Sequence, residues 1–167
     1  KKINLATSYG MTTIGLAVAT GKTEQEAQDF LDKYFKRFSG VKNYIDSQRS
    51  FAARMGYVET ASGRRVWINP YDSQWDKNAI NAPIQGGASD FTKRWVVLFH
   101  ERTIKENLKF PISNIVHDEL DNDCLKICTA AYRDMLDDTF QQTANEIYPG
   151  VPFKTEYATG PNWGCKG

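Results

Sequence analysis

Apolar side chains recur every three or four residues at Ala27, Phe30, Leu31, Tyr34, Phe35 and Phe38. That period fits an α-helix and not a strand, and no other feature limits the possible folds as much. The start of the helix is written just upstream. Thr23-Glu24-Gln25-Glu26 is a capping-box sequence, with Thr23 as N-cap and Glu26 reaching back from the first turn. The helix is expected to stop at Ser39-Gly40, and a second to run over residues 41–55 and end on Gly56 as a left-handed cap. Beyond Gly56 the pattern changes. Tyr57-Val58-Glu59-Thr60, a turn over Ala61-Ser62-Gly63, and Arg64-Arg65-Val66-Trp67-Ile68 read as a β-hairpin.

Before this region, residues 1–18 suit a helix interrupted near Gly10. After it, Asn69-Pro70-Tyr71-Asp72 breaks the chain ahead of a long helical stretch over 77–107, interrupted by Pro83 and Gly86-Gly87. Residues 112–116 make a short strand, although Asp121-Asn122-Asp123 stands where a returning apolar strand is expected. A helix over 128–147 and a strand near 153–157 complete the chain. Helices packed on a small antiparallel sheet give an α+β class.

At 167 residues and 41% hydrophobic, the chain can bury one sizeable core, as one compact unit or a large piece of one. Twenty-one basic against 20 acidic residues neither demand nor exclude a nucleic-acid partner. Cys124, Cys128 and Cys165 are an odd number without C-x-x-C spacing, which argues against a disulfide framework or a zinc site and for a reducing compartment. No apolar run approaches the roughly 18 residues that span a bilayer, and the stretch after Lys1-Lys2 is too short and too polar to be expected to act as a signal peptide. The expectation is a soluble intracellular protein with no membrane partner. Because the chain starts on Lys1 inside a helical pattern, it is expected to be a fragment. Gly15 and Gly21-Lys22-Thr23 look like a phosphate-binding loop, but five residues separate the glycines where that motif wants four. His100 reads as a surface or packed histidine.

Three constellations carry chemistry. On a helix, Lys1, Leu5 and Tyr9 share one face, and Lys1 to Tyr9 rises about 12 Å. That is roughly the reach of a nucleoside triphosphate, with an ammonium for phosphate at one end and an aromatic for the base-pair slot at the other. Ile115-Val116-His117-Asp118-Glu119-Leu120 ends an apolar run on two acids, and a carboxylate at a turn can bring a divalent cation to a phosphate. Asn81-Ala82-Pro83-Ile84-Gln85-Gly86 offers two amides that suit the degenerate acceptors of the minor-groove edge. Lys93-Arg94 and Arg64-Arg65 could meet phosphate or simply face solvent. Each pattern alone also fits a bland reading: an amphipathic helix, an exposed polar hairpin, or a Pro-kinked helix with buried amides.

Together, in this order, the three resemble the C-terminal part of a family A DNA polymerase, over nearly the whole chain through to Asn162-Trp163. The resemblance implies the fingers and palm portion of a right-hand polymerase, with fingers helices over 1–56 and a palm carrying the catalytic hairpin over 57–167. It implies template-directed DNA synthesis: a primer 3′-hydroxyl attacks the α-phosphate of a deoxynucleoside triphosphate, with two Mg2+ ions, for which Mn2+ can substitute. Lys1 matches the fingers lysine and Tyr9-Gly10 the tyrosine-glycine pair. Leu5 stands where phenylalanine or tyrosine is usual, a position that contacts the incoming sugar, and Ala6 replaces the usual glycine. Asp118 matches the metal-binding palm aspartate, Glu119 an auxiliary acid near the metals, and His117 a primer-end contact. Asn81 and Gln85 match the minor-groove amides, and Lys77 falls where an arginine is usual. Arg64 is added as a DNA-phosphate contact. Asp121 and Asp123 exceed the motif and are read as a solvated edge.

The family's other metal-binding aspartate would lie upstream. The piece is therefore expected to be inactive alone and to partner with the upstream part of the polymerase, on the same chain or a separate polypeptide, besides primer-template DNA. Two alternatives stay open. One is a single-subunit RNA polymerase relative, although serine usually follows His-Asp there, where this chain has Glu119. The other is a non-catalytic DNA-binding module.

Overall fold

In the computed structural model, residues 6–109 and 111–162 are described. Their contacts divide the chain into two units, Lys1–Gly86 and Gly87–Gly167, and helices with small antiparallel hairpins make both, an α+β arrangement.

In the first unit residues 6–8 are helical and the chain turns at Tyr9–Gly10. Gly10 N–H donates to Thr7 O at 3.0 Å and Met11 N–H to Ala6 O at 3.1 Å, the paired bonds of a Schellman end, with Gly10 in the left-handed region at φ 76°. Tyr9 thus stands at the cap, past the last helical residue. Whether it shares a face with Lys1 and Leu5 lies outside the described residues. Helix α1 (Thr13–Thr20) follows, capped by the Thr12 side chain, and then α2 (Glu24–Arg37), which opens on the expected capping box: Glu26 N–H donates to Thr23 Oγ1 while Thr23 N–H donates to Glu26.

Helix α2 buries Ala27 and Leu31 against Leu16 and Ala17 of α1. Phe30 and Phe38 are 40% and 45% exposed and, with Tyr34, form a run of ring contacts along the helix instead of the expected buried stripe. The expected stop at Ser39-Gly40 is also corrected. Helix α2 ends at Arg37 and α3 (Ser39–Met55) begins at once, with Phe38 alone, at φ −115° and ψ 57°, turning the chain. Gly40 is tolerated because first-turn N–H groups have no intrahelical partner to lose. Helix α3 ends on Gly56 at φ 75°, as the glycine suggested.

Strands β1 (Tyr57–Glu59) and β2 (Arg65–Trp67) pair antiparallel, Val58 opposite Val66, and Ala52, Val58, Ile68 and Ala79 form a core beneath them. Helix α4 runs from Trp75 to Lys105 without the expected interruption. Pro83 lies inside it and lacks the N–H that would meet the Ala79 carbonyl one turn back. Tyr44 Oη donates to the next carbonyl along, that of Ile80, at 2.9 Å, which ties α3 to this part of the helix. Gly86 and Gly87 permit close approach and do not break the helix. A β-carbon on Gly86 would stand 2.8 Å from Thr60 Cγ2, and one on Gly87 would run into Tyr148 Oη.

In the second unit Phe91, Trp95 and Phe99, one turn apart on α4, pack with Tyr132, Met135, Leu136 and Ala144 of α5 (Thr129–Ile147). Trp95 Nε1 donates to Leu136 O and Thr139 Oγ1, each at 3.2 Å. Strands β3 (Ile112–Val116) and β4 (Glu119–Asn122) pair antiparallel, with an irregularity between Ile112 and Asn114. The returning strand exists despite its polar sequence because Leu120 supplies the residue that packs against the core. The strand expected near 153–157 is absent: residues 151–160 have no regular structure. Side chains hold this segment to α5 in place of a ladder. Thr155 and Tyr157 hydroxyls both donate to Asp137, and Arg133 lies 5.4 Å over the Tyr157 ring.

Candidate active site

The β3–β4 register places Val116 opposite Glu119, so His117-Asp118 is a two-residue hairpin turn. Two-residue turns match the strand twist when φ is positive at the first central position, and His117 accordingly takes φ 55°. Asp118 sits at the tip and not on a strand. His117, Asp118 and Glu119 are all exposed. Among the described residues, no hydrogen bond or ion pair engages the Asp118 carboxylate.

That carboxylate has the chemistry of a magnesium ligand: a hard, anionic oxygen donor open to a cation that keeps waters and takes further ligands from phosphate. The described residues contain no group of three His, Cys, Asp or Glu side chains able to hold a metal. The hairpin therefore fits as a contributor of ligands and not as a closed metal centre.

Strand β4 corrects one expectation about the extra acids. Asp121 Oδ2 is buried, and its charge, after burial itself and with Cys124, helps hold the Tyr132 phenol well above the usual tyrosine range, against an opposing contribution from Asn122. Asp121 is thus part of the hairpin's inner packing. Asp123 does lie at an exposed edge, accepting from Ser113 Oγ at 2.9 Å.

Within the first unit, α4 gathers the other candidates. Lys77, Asn81 and Gln85 recur every four residues along it, so they share a face; Lys77 and Gln85 are exposed, whereas Asn81 is half-buried with its Oδ1 inside. The Tyr9–Gly10 turn meets the same helix, since a β-carbon on Gly10 would stand 3.0 Å from Ile80 Cδ1. Arg64 joins it at the far end, its Nη2 donating to Gly86 O at 3.2 Å. Tyr9, Arg64, Lys77, Asn81 and Gln85 belong to the first unit, and His117, Asp118 and Glu119 to the second. Lys1 and Leu5 lie outside the described residues.

Two arginines of the basic pairs are engaged within the fold. Arg65 donates to Glu59 at 3.2 Å and lies 4.6 Å over the Tyr57 ring. Arg94 makes a two-pronged pair with Glu146 at 2.7 and 3.0 Å, which pulls the Glu146 carboxyl below its usual range. Sequence reading did not single out Arg49, Tyr44 or Asp76. Their contacts join segments 27 to 36 residues apart, and no local pattern announces them.

The sequence profile of DNA polymerase family A matches residues 1–165. The chain belongs to DNA polymerase family A. DNA polymerase I of Pseudomonas aeruginosa is 33% identical over 178 residues, covering 98% of this chain and 18% of that protein. DNA polymerase I of Geobacillus stearothermophilus is 31% identical over 170 residues, covering 98% of this chain and 19% of that protein. The fold is similar to the POL domain of Pol1 from M. smegmatis, solved in complex with DNA primer-template and dNTP. The TM-score is 0.78 at 26% identity, over 85% of this chain and 26% of that one. This family A segment thus spans about a fifth of the length of the curated relatives it matches. Among the described residues no helix is long and apolar enough to cross a membrane.

Proposed function

We propose that this segment is the fingers and palm part of a DNA polymerase that adds deoxynucleotides to a primer 3′-hydroxyl on a DNA template inside the cell. The observation that carries the reading is Asp118: an exposed carboxylate with no partner among the described residues, at the tip of a two-residue hairpin, in a family A chain. Residues 1–56 supply the fingers and 57–167 the palm. Asp118, with Glu119 beside it, holds Mg2+, or Mn2+ in its place. A bound pair of such ions activates the attacking hydroxyl and stabilises the leaving pyrophosphate.

The chain's own side chains do the rest. Lys1 offers an ammonium to the triphosphate, and Tyr9, half-buried at its helix end, lines the slot for the new base pair. Leu5 lies beside the sugar. Asn81 and Gln85 read the minor-groove edge without regard to sequence, because the acceptors there are nearly the same for every pair. Lys77 and Arg64 meet the DNA backbone as point charge and fork respectively, and the exposed imidazole of His117 meets the primer end.

Two-metal chemistry needs at least two well-placed carboxylates from separate positions, and the described residues bring one hairpin. The upstream part of the polymerase, on the same or a separate polypeptide, supplies the other. The isolated 167-residue segment should therefore extend no primer with magnesium or manganese, and the full-length protein should. Extension by the isolated segment that disappears on Asp118→Asn would show that the metal site is complete within it.

A further inference from the structure

We propose that Arg49 is a positioning residue that fixes the Tyr9–Gly10 turn to the helix carrying Lys77, Asn81 and Gln85. This rests on the reading of Tyr9 as a wall of the nucleotide slot, but it assigns a role to a side chain which that reading leaves unused.

The observation is one guanidinium touching both segments. From α3, Arg49 Nη2 donates to Asp76 Oδ2 at 3.0 Å, immediately before Lys77. The same nitrogen stands 3.0 Å from where a β-carbon on Gly10 would lie, and Ile80 Cδ1, immediately before Asn81, closes the other side at 3.0 Å. Gly10 is in the left-handed region at φ 76°. Its conformation disfavours any side chain, a β-carbon would crowd both neighbours, and the turn rests directly against the guanidinium.

Helix α3 is fixed to α4 a second time through Tyr44 and the Ile80 carbonyl, so Arg49 projects from a support that is itself anchored. It lines a cavity of about 610 Å³ with Gly10, Ile45 and Asp46, leaving room for the turn to shift if the contact were removed. As a fold stabiliser the ion pair is replaceable: both side chains are 33% exposed, and pairs so open to solvent contribute little to stability. Its consequence is geometric. It registers the aromatic that borders the base pair against the amides that read that base pair, and small displacements in such an arrangement cost rate or affinity well beyond their effect on folding.

The test uses single-turnover incorporation by the full-length protein. Arg49→Ala should raise the apparent nucleotide dissociation constant by about fivefold to tenfold and weaken discrimination against a mismatched nucleotide, with primer-template affinity within about twofold. Asp76→Ala should do the same, and the double variant should be no worse than either single, because the two act as a unit. Arg49→Lys keeps a charge without the planar fork and should fall between wild type and alanine; it carries the test if the alanine variant fails to fold. An unchanged nucleotide constant in Arg49→Ala, multiplicative effects in the double variant, or a parallel loss of DNA affinity and melting temperature would overturn the proposal. Tyr9→Ala separates the two ideas. If it alone shifts the nucleotide constant, the role of Arg49 falls and that of Tyr9 stands; if neither shifts it, both fall.

Discussion

Replacing His117 by glycine should stabilise the β3–β4 hairpin while removing what its imidazole does for DNA. His117 holds φ 55° at the first position of the two-residue turn, a region that costs a residue with a β-carbon about 1–2 kcal/mol. Glycine escapes that cost but loses about 0.5–1 kcal/mol more backbone entropy on folding. The net gain is about 0.5–1 kcal/mol, which for a chain of this size is a rise of about 1–4 °C in melting temperature. His117→Val should move the other way, since a β-branched side chain resists positive φ. Thermal unfolding followed by circular dichroism, with hydrogen exchange at the β3 and β4 amides, measures both. At the same time His117→Gly should slow incorporation by the full-length protein, so stability and activity would move in opposite directions. A lower melting temperature for His117→Gly, or wild-type behaviour of His117→Val, would refute the argument that the turn imposes this backbone on the histidine.

Removing the Tyr44 hydroxyl with Tyr44→Phe should cost about 1 kcal/mol in chemical denaturation, because the bond that ties α3 to the Ile80 carbonyl of α4 is lost; a neutral result would mean that water replaces it freely. Gly86→Ala should cost about 1–3 kcal/mol, since the new methyl would meet Thr60 Cγ2 at 2.8 Å and Arg64 Nη2 at 2.9 Å, and loss of Arg64 in the same background should recover part of it. Burial, followed by the Asp137 carboxylate, pushes the Tyr157 phenol up to about 12. A raised phenol pKa means that the fold favours the neutral form, so its stabilising effect is complete below the ordinary tyrosine value near 10 and is lost as pH climbs from there to about 12. Unfolding measured across that window should show a steeper decline in the wild type than in Tyr157→Phe, and identical slopes would contradict the assignment.

How much was legible in the sequence follows from how local each signal is. The capping box at Thr23, the left-handed Gly56 and the hairpin over 57–68 involve neighbours a few residues apart, and all appear where the pattern placed them. Pro83 and Gly86-Gly87 misled because their local meaning, a broken helix, is overridden by partners far along the chain: Tyr44 on the Ile80 carbonyl and Thr60 and Arg64 against Gly86. The segment over 153–157 looked like a strand because extended backbone and apolar alternation look alike whether a ladder or a set of side chains holds them; here it is Asp137 and Arg133. Asp121 looked solvated because acids usually are, and only the fold sets it beside Tyr132. The motifs of the candidate site were readable as residues in order. Their grouping on α4 was not, because the contacts of Arg49, Asp76 and Arg64 that create it cross 22 to 27 residues.

The most direct measurement is single-turnover nucleotide incorporation by the full-length protein carrying Asp118→Asn, alongside its affinity for primer-template DNA. The amide keeps the shape of the exposed turn-tip side chain and removes the charge that a dication needs. The account predicts that incorporation is abolished while primer-template affinity is nearly intact. A variant within about tenfold of the wild-type rate, a difference of about 1.4 kcal/mol in the barrier, would show that Asp118 does not hold the metal and would contradict the assignment of the β3–β4 turn as the catalytic hairpin.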